Sequence, residues 1–160
     1  TIVDSDMSFD FGFDIDYTSI GGVTADGFTI GYWKNNINKA IKGKTKGVQV
    51  SAATLEAYLD EIYGFALYPF TFTALQEAYD VLSATGSDPV LLLEKQLMGS
   101  EFNLMNGAYI GGNELLTEMF LYYGEYLVVY SGNYSSSELL DAKDWFDAYN
   151  NSHGEAIVAP

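Results

Sequence analysis

Glu94 and Glu101 are the two residues whose type and spacing come nearest to a catalytic pair. They lie seven residues apart in a stretch with helical periodicity, so both fall on one helix face, two turns apart. Paired carboxyl groups hydrolyse glycosidic bonds, one as the acid and the other as the base or nucleophile. On a straight helix, however, the two backbones are about 10 Å apart, and the neighbouring residues are apolar. We therefore expect both side chains to face the core rather than a substrate cleft.

Buried carboxylates need compensation, because an unpaired charge in a protein core is costly. We predict that Glu94 and Glu101 each meet a lysine, a bound cation, backbone donors, or water at a gap in the packing. Lys34 is one lysine placed either to reach these glutamates or to extend its ammonium group to the surface.

The remaining inventory of reactive residues is sparse. The single histidine, His153, lies between Ser152 and Gly154 near the end of the chain, without the partners of a catalytic triad. The sequence has no cysteine, no phosphate-binding glycine loop and no pair of metal-ligating histidines. We therefore predict that the protein is not an enzyme.

Aspartates near the start of the chain offer oxygen ligands to a metal ion. They form two short Asp-x-Asp groups, made of Asp4, Asp6, Asp14 and Asp16. The twelve-residue loop of calcium-binding hands, with its glycine and closing glutamate, is missing from the sequence. Calcium therefore stays open as a ligand, and no other cofactor is predicted.

Charge and composition exclude several classes of protein. The chain has 160 residues, enough for one domain with its own core. Its 22 acidic and 7 basic residues give a net charge of −15, and all the basic residues are lysines. We expect no nucleic-acid partner, because the field would repel phosphates and the arginine fork is absent. The sequence contains no run of eighteen or more apolar residues, so no membrane span is predicted. The start at Thr1 fits a processed, mature protein and fits an artificial boundary equally well.

One long helix must position the two glutamates. Asp88 can cap it, Pro89 suits its first turn, and Gly107 can supply the left-handed residue that ends it. Its apolar residues fill about half of the circumference at 100° per residue, which predicts a central core helix.

The segment from Met7 to Tyr17 has a different period. Aromatic and aliphatic side chains alternate with aspartate and glycine, which predicts a β-strand. The apolar side of that strand consists of Phe9, Phe11, Phe13, Ile15 and Tyr17. We therefore divide the chain into a strand arm at 1–20 and a helical domain at 21–160.

A strand needs a partner, and two arrangements are open. The arm can close a small sheet with short pieces of its own chain, at 48–50, 70–72, 126–130 or 156–159. Alternatively, it adds to a neighbouring copy, where backbone hydrogen bonds give affinity and side-chain pockets set the register. The run 126–130 is itself open between strand and helix.

Charge is distributed unevenly along the sequence. The first seventeen residues are acidic, whereas five of the seven lysines fall within thirteen residues, at Lys34, Lys39, Lys42, Lys44 and Lys46. Either the lysines neutralise acids of their own domain, or they attract the acidic arm of a second copy. The second arrangement is head to tail and can propagate into a fibre or tube.

The run Gly31, Tyr32, Trp33, Lys34 and Asn35 resembles the Gly-Tyr-Trp-Lys-Asn-His signature that opens a family of exported prokaryotic domains. Further similarity follows in the same order along about four-fifths of the chain. The stretch 48–59 is similar to the family's short strand and next helix, 92–107 to its Gln-Leu-x-Ala-Ala-x-Leu-Asn-x-x-Asn-Gly helix, and 146–151 to its closing Leu-Asp-x-Tyr-Asn-Asn-Gly. The resemblance implies a largely helical, secreted or surface-attached protein without an established activity.

The sequence also departs from that family pattern. Asn36 replaces the usual histidine, Gly99 and Ser100 replace two alanines, and the cysteine frequent in the family's tail is absent. A role that depends on the histidine or the cysteine is therefore not implied for this chain. Tyr32 and Trp33 have the type of side chain used for packing, and we expect them to anchor the fold.

These features together predict a mainly α fold, a compact multi-helix domain with an N-terminal strand arm, with a small accessory sheet left open. Aromatic residues make up 16% of the chain, more than a core of this size requires. We predict a secreted or cell-surface structural protein, a subunit of a filament, tube or layer that associates with itself by strand addition. The alternative is a monomeric secreted module that binds calcium, a glycan or a protein.

Overall fold

The computed structural model describes residues 26–65 and 70–152. This part of the chain is mainly helical, as predicted, and contains six α-helices and no β-strand. The helices are α1 (Ile30–Ile41), α2 (Ala52–Phe65), α3 (Leu75–Ser83), α4 (Pro89–Met105), α5 (Glu114–Val129) and α6 (Ser136–Asn150), with a 3-10 turn at Ser131–Asn133. None of these helices is long and apolar enough to cross a membrane.

Helix α4 is the central element, and its ends lie where the sequence predicts them. The Asp88 side chain accepts a hydrogen bond from the backbone N–H of Leu91 at 3.1 Å, and Pro89 occupies the first helical position. After the helix, Gly107 has a φ of 85°, the left-handed conformation that favours glycine. Helix α4 contacts each of the other five helices, so it forms the centre of the packing.

Polar side chains also define where the neighbouring helices begin. Thr29 caps α1, and Asn113 caps α5 by accepting from the N–H of Leu116 at 3.0 Å. At α6, Ser135 and Glu138 form a reciprocal capping box, in which each side chain bonds to the other's backbone N–H. The chain direction is therefore fixed locally at each of these starts.

The pieces considered for a small sheet do not form strands within the described residues. The stretches 48–50 and 70–72 are irregular, and Tyr126 to Val129 belong to α5, so the helical alternative for that run is correct. The predicted arm, including Phe9, Phe11, Phe13, Ile15 and Tyr17, lies outside the described residues. So does the tail at 156–159.

The core lies around α4 and is rich in aromatic rings. Trp33 of α1 is fully buried and stacks on Phe102 of α4, with ring centroids 5.3 Å apart. On the other side of α4, Phe120 of α5 stacks on Phe146 of α6 at 4.4 Å. Ring stacking on both sides of the central helix explains part of the high aromatic content.

Candidate functional site

Asn103 of α4 is the centre of a buried polar network. Its side-chain oxygen accepts hydrogen bonds from the Trp33 indole N–H at 3.0 Å and from the Phe28 backbone N–H at 2.8 Å. Its amide nitrogen donates to the Phe28 carbonyl at 2.9 Å and to the Asn150 side-chain oxygen at 2.8 Å. One side chain thereby joins the segment before α1, helix α1, helix α4 and helix α6.

The network continues along the contact between α4 and α6. Asn150 donates to the backbone carbonyl and the side-chain oxygen of Gln96, both at 2.9 Å, and accepts from the Ser100 hydroxyl at 2.9 Å. Gln96 in turn donates to Asp147 at 3.0 Å. Asn103 and Asn150 are fully buried, yet their polar atoms are hydrogen-bonded, which is how polar groups are tolerated in a core.

Three of the motifs that the sequence singles out therefore meet in space. Trp33 comes from the run 31–35, Gln96 and Asn103 from the stretch 92–107, and Asp147 and Asn150 from the stretch 146–151. Their side chains bind one another rather than surround an open cleft. This arrangement holds the helices in register, with the side-chain amides of Asn103 and Asn150 engaged by one another and by their neighbours.

The rest of the run 31–35 lies at or near the surface. Tyr32 is half-buried and stacks on Phe28 with centroids 4.0 Å apart, whereas Gly31, Lys34 and Asn35 are exposed. Within 26–65 and 70–152 the one ion pair joins Lys143 and Asp144. Lys34 forms no ion pair with Glu94 or Glu101 in this part of the chain, so its exposed position fits the surface alternative rather than the pairing.

Asn36 is a structural residue that the sequence did not reveal as one. It stands where the family pattern has histidine and is fully buried. Its side-chain oxygen accepts from the backbone N–H groups of Gln49 and Val50 at 3.1 and 3.3 Å, and its nitrogen donates to the Tyr32 carbonyl at 3.0 Å. Asn36 thus ties the loop before α2 to α1.

Glu101 and Glu125 form a buried carboxyl pair between α4 and α5. Glu101 is 0% exposed and Glu125 is 1% exposed. Neither side-chain oxygen of Glu101 has a hydrogen-bond donor among the described residues. Of the predicted partners, neither a lysine nor a backbone donor bonds to Glu101 among the described residues, and the side chain beside it is a second carboxyl group. The alternatives of a bound cation and of water stay predictions.

The surroundings of this pair disfavour its charged form. Burial raises the pKa of Glu101 well above its ordinary value. The adjacent Glu125 raises that pKa further, because its charge repels the ionised form of Glu101 and its carboxyl group hydrogen-bonds to the protonated form. Burial also raises the pKa of the Tyr149 phenol, with the Glu101 charge as a second cause. The Tyr149 hydroxyl donates to the Ala108 carbonyl at 2.5 Å, so it is engaged elsewhere.

Glu94 behaves differently from Glu101, although both lie on α4. It is half-buried, and burial followed by the nearby Asp88 charge raises its pKa. The expectation that both glutamates face the core therefore applies to Glu101 and only partly to Glu94. Glu125 was not predicted from the sequence to be buried. Its spacing from the buried Leu121, four residues before it, and Val128, three residues after it, is nevertheless typical of the core-facing side of a helix.

The lysine cluster forms a separate feature on the surface. Lys34, Lys42, Lys44 and Lys46 are exposed, and Lys39 donates to the Gly47 carbonyl at 2.6 Å. None of the five forms an ion pair with an acidic side chain of the described part of the chain. We call these five residues the lysine surface. No acidic side chain of the described residues lies close enough to pair with it directly.

An open groove of about 490 Å³ lies next to the end of α1. Its lining combines apolar side chains such as Ile41 and Leu75 with two exposed carboxylates, Glu56 and Asp60. Neither a histidine nor a lysine lines it. We assign no reaction to this groove.

Metal ligands are not clustered in the described residues. No group of three or more histidine, aspartate or glutamate side chains at 26–65 and 70–152 is arranged to hold a metal ion. The predicted calcium ligands Asp4, Asp6, Asp14 and Asp16, and the only histidine, His153, lie outside that part of the chain.

Compared with known proteins, the chain matches no family model, no curated protein and no solved structure. The resemblance to the exported domain family therefore stays a prediction.

Proposed function

We propose that the protein is an exported structural subunit, which builds an extracellular filament, tube or layer through the strand arm at residues 7–17. The observation that carries this proposal is the helical body. Residues 26–65 and 70–152 contain no β-strand and only a single bridge residue, Ile110, so they offer the alternating aromatic segment no strand to pair with. A strand must pair its backbone N–H and C=O groups with another strand. We infer that its partner is a backbone segment of a neighbouring copy.

The lysine surface supports the same proposal. An arm that carries Asp10, Asp14 and Asp16 on one side repels a second arm, because like charges opposite each other destabilise a strand pair. Unpaired lysines on the body of a neighbouring copy offer the compensating charge. Because such surface attraction is screened within about 8–10 Å at physiological salt, assembly would weaken as salt rises.

The export part of the proposal rests on the resemblance of residues 31–35, 92–107 and 146–151 to the exported family. The convergence of these three motifs on Asn103 supports that resemblance, because unrelated short matches would have no reason to meet in one core. Extracellular location and assembly are separate parts of the proposal and are tested separately.

Truncation tests assembly directly. The full chain and a chain lacking residues 1–20 are compared over a range of concentrations by light scattering and by electron microscopy, each with and without calcium. We expect polymers from the full chain and monomers from the truncated one. A full chain that stays monomeric at high concentration would overturn the proposal and favour the secreted binding module.

Two further variants locate the strand contact. Replacing Phe11 and Phe13 by proline removes two backbone donors from the arm and should abolish assembly, whereas replacing both by leucine should largely preserve it. A chain lacking residues 153–160 should still assemble. If that deletion alone releases monomers, the mate is the tail rather than the arm.

A further inference from the structure

Helices α4 and α5 meet beside a pair of buried acids. Glu101 comes from α4 and Glu125 from α5, and both are at most 1% exposed. The helices approach closely next to the pair, because a Cβ atom placed on Gly124 would lie 2.9 Å from the Leu97 side chain. The two carboxyl groups are therefore held in the interior by the packing around them.

No positive charge of the described chain reaches this pair. Lys95 donates to the Ala84 carbonyl at 2.7 Å, Lys143 pairs with Asp144, and the lysine surface is exposed except for Lys39, which bonds to Gly47. The titratable groups that face the pair are themselves acidic or phenolic. Among the described residues they are Tyr122 of α5 and Tyr149 of α6, with Tyr109 and Glu118 lying beyond these two tyrosines.

A metal ion and a proton are the two ways to relieve the repulsion. Calcium takes six to eight oxygen ligands, as a rule, and two carboxyl groups supply at most four. No third acidic side chain in the described residues completes a metal-binding group here. A proton needs only the two carboxyl groups, since a protonated carboxyl donates one hydrogen bond and a carboxylate accepts it.

We propose that Glu101 and Glu125 share a proton in the folded protein, and that the resulting carboxyl–carboxylate hydrogen bond closes the contact between α4 and α5. Removing that proton leaves two negative charges in the core, and no lysine of the described residues reaches them. The stability of this contact at the centre of the helical body therefore depends on protonation. This inference does not depend on export or on assembly.

The direction of the pH effect follows from the pKa shift. The pKa of Glu101 is raised above its ordinary value of 4.5, first by burial and then by Glu125. The folded protein therefore holds a proton that the unfolded chain releases. This contribution to stability is complete below about pH 4.5 and is lost as the pH rises through the raised pKa. The contact between α4 and α5 is therefore more stable at low pH than at high pH.

The test measures the melting temperature of the full chain across a pH series. It compares the wild type with Glu101→Gln, Glu125→Gln and the double variant. We expect the wild type to lose stability as the pH rises. Each single variant should make this loss smaller and end it at a lower pH than in the wild type, because the remaining carboxyl group no longer meets a second charge. The double variant should flatten the profile further, because it leaves no buried acid between α4 and α5.

Glu56→Gln is the matched control, since it removes one charge from an exposed position on α2. It should leave the pH profile parallel to that of the wild type. If the pH profile of Glu101→Gln is also parallel to that of the wild type, the proposal of a shared proton is wrong.

A metal ion is excluded or established in the same series. Calcium, magnesium or sodium chloride is added to the wild type at constant ionic strength. A rise in melting temperature that Glu101→Gln abolishes would show a cation in place of the proton and overturn the proposal. If Glu101→Gln does not fold, the infrared band of a protonated carboxyl group is sought in the wild type at neutral pH. Its absence would overturn the proposal as well.

Discussion

Asn103 takes part in four hydrogen bonds at the point where α1, α4 and α6 meet. A leucine in its place could fill the space but would leave the Trp33 indole N–H and the Phe28 backbone groups without partners. Unsatisfied buried groups are more costly than the bond itself, so the amide specifies how these segments dock. At the scale of single residues, polar contacts thus add specificity to an otherwise aromatic core.

Replacing Asn103 by alanine should lower the free energy of unfolding by about 2–4 kcal/mol, because several buried polar groups lose their partner together. Urea unfolding followed by circular dichroism measures this loss. Asn35→Ala is the control, since Asn35 lies in the run 31–35 but is exposed. It should change stability by no more than about 0.5 kcal/mol. Equal losses in the two variants would contradict the assigned role of Asn103.

The close approach of helices is the main feature at the scale of secondary structure. Gly124 lies in the middle of α5, where a Cβ atom would come within 2.6 Å of the Phe146 ring and 2.9 Å of the Leu97 side chain. Glycine disfavours a helix interior by about 1 kcal/mol relative to alanine, so its presence here needs a packing reason. The absence of a side chain at this position lets Phe146 stack on Phe120.

Gly124→Ala should therefore destabilise the fold by about 1–3 kcal/mol, because the added methyl group overpacks the contact between α4, α5 and α6. Thermal melting of purified protein measures the change. Gly64→Ala is the matched control within α2, since no atom of the described residues lies within 4 Å of its Cβ position. It should stabilise the protein by up to about 1 kcal/mol. The two substitutions should have opposite signs, and a shared sign would refute the packing argument.

Charge segregation is the main feature at the scale of the whole molecule. A net charge of −15 opposes self-association, yet five lysines without acidic partners in the described body are concentrated in thirteen residues. If the proposed arm docks near them, its aspartates convert a repulsive contact into an attractive one. Assembly would therefore depend on how charge is distributed along the chain rather than on the net charge.

Replacing Lys42, Lys44 and Lys46 by glutamine should reduce assembly and its sensitivity to salt. The control keeps the same net charge by placing three glutamates at other exposed positions, Thr85, Ser87 and Ser137, and should assemble better than the lysine variant. Light scattering at several salt concentrations measures both. Assembly should also be lost when Lys42, Lys44 and Lys46 are replaced by glutamate. It should be regained when Asp10, Asp14 and Asp16 of that variant are replaced by lysine. Failure of that exchange, with truncation still abolishing assembly, would reject the lysine surface but keep the arm.

The sequence by itself determined the features that depend on neighbours along the chain. Asp88, Pro89 and Gly107 marked both ends of α4, and the periodicity of its apolar residues marked it as a core helix. Such signals are local, because a cap bonds within its own first turn and a helix face repeats every few residues. The mainly helical character of the chain followed from the same local rules.

Only the tertiary structure decided which side chains meet. Glu101 and Glu125 are 24 positions apart in sequence, and Asn103 and Asn150 are 47 positions apart, so no spacing rule connects them. The sequence indicated that a buried carboxylate at Glu101 needs compensation by a lysine, a cation, backbone donors or water, but it did not indicate the second acid that the fold places beside it. Tyr126 to Val129 likewise became helical because packing against α4 outweighs the strand preference of these residues. Contacts between distant segments depend on how whole helices pack, and that information is not present in any short stretch of the chain.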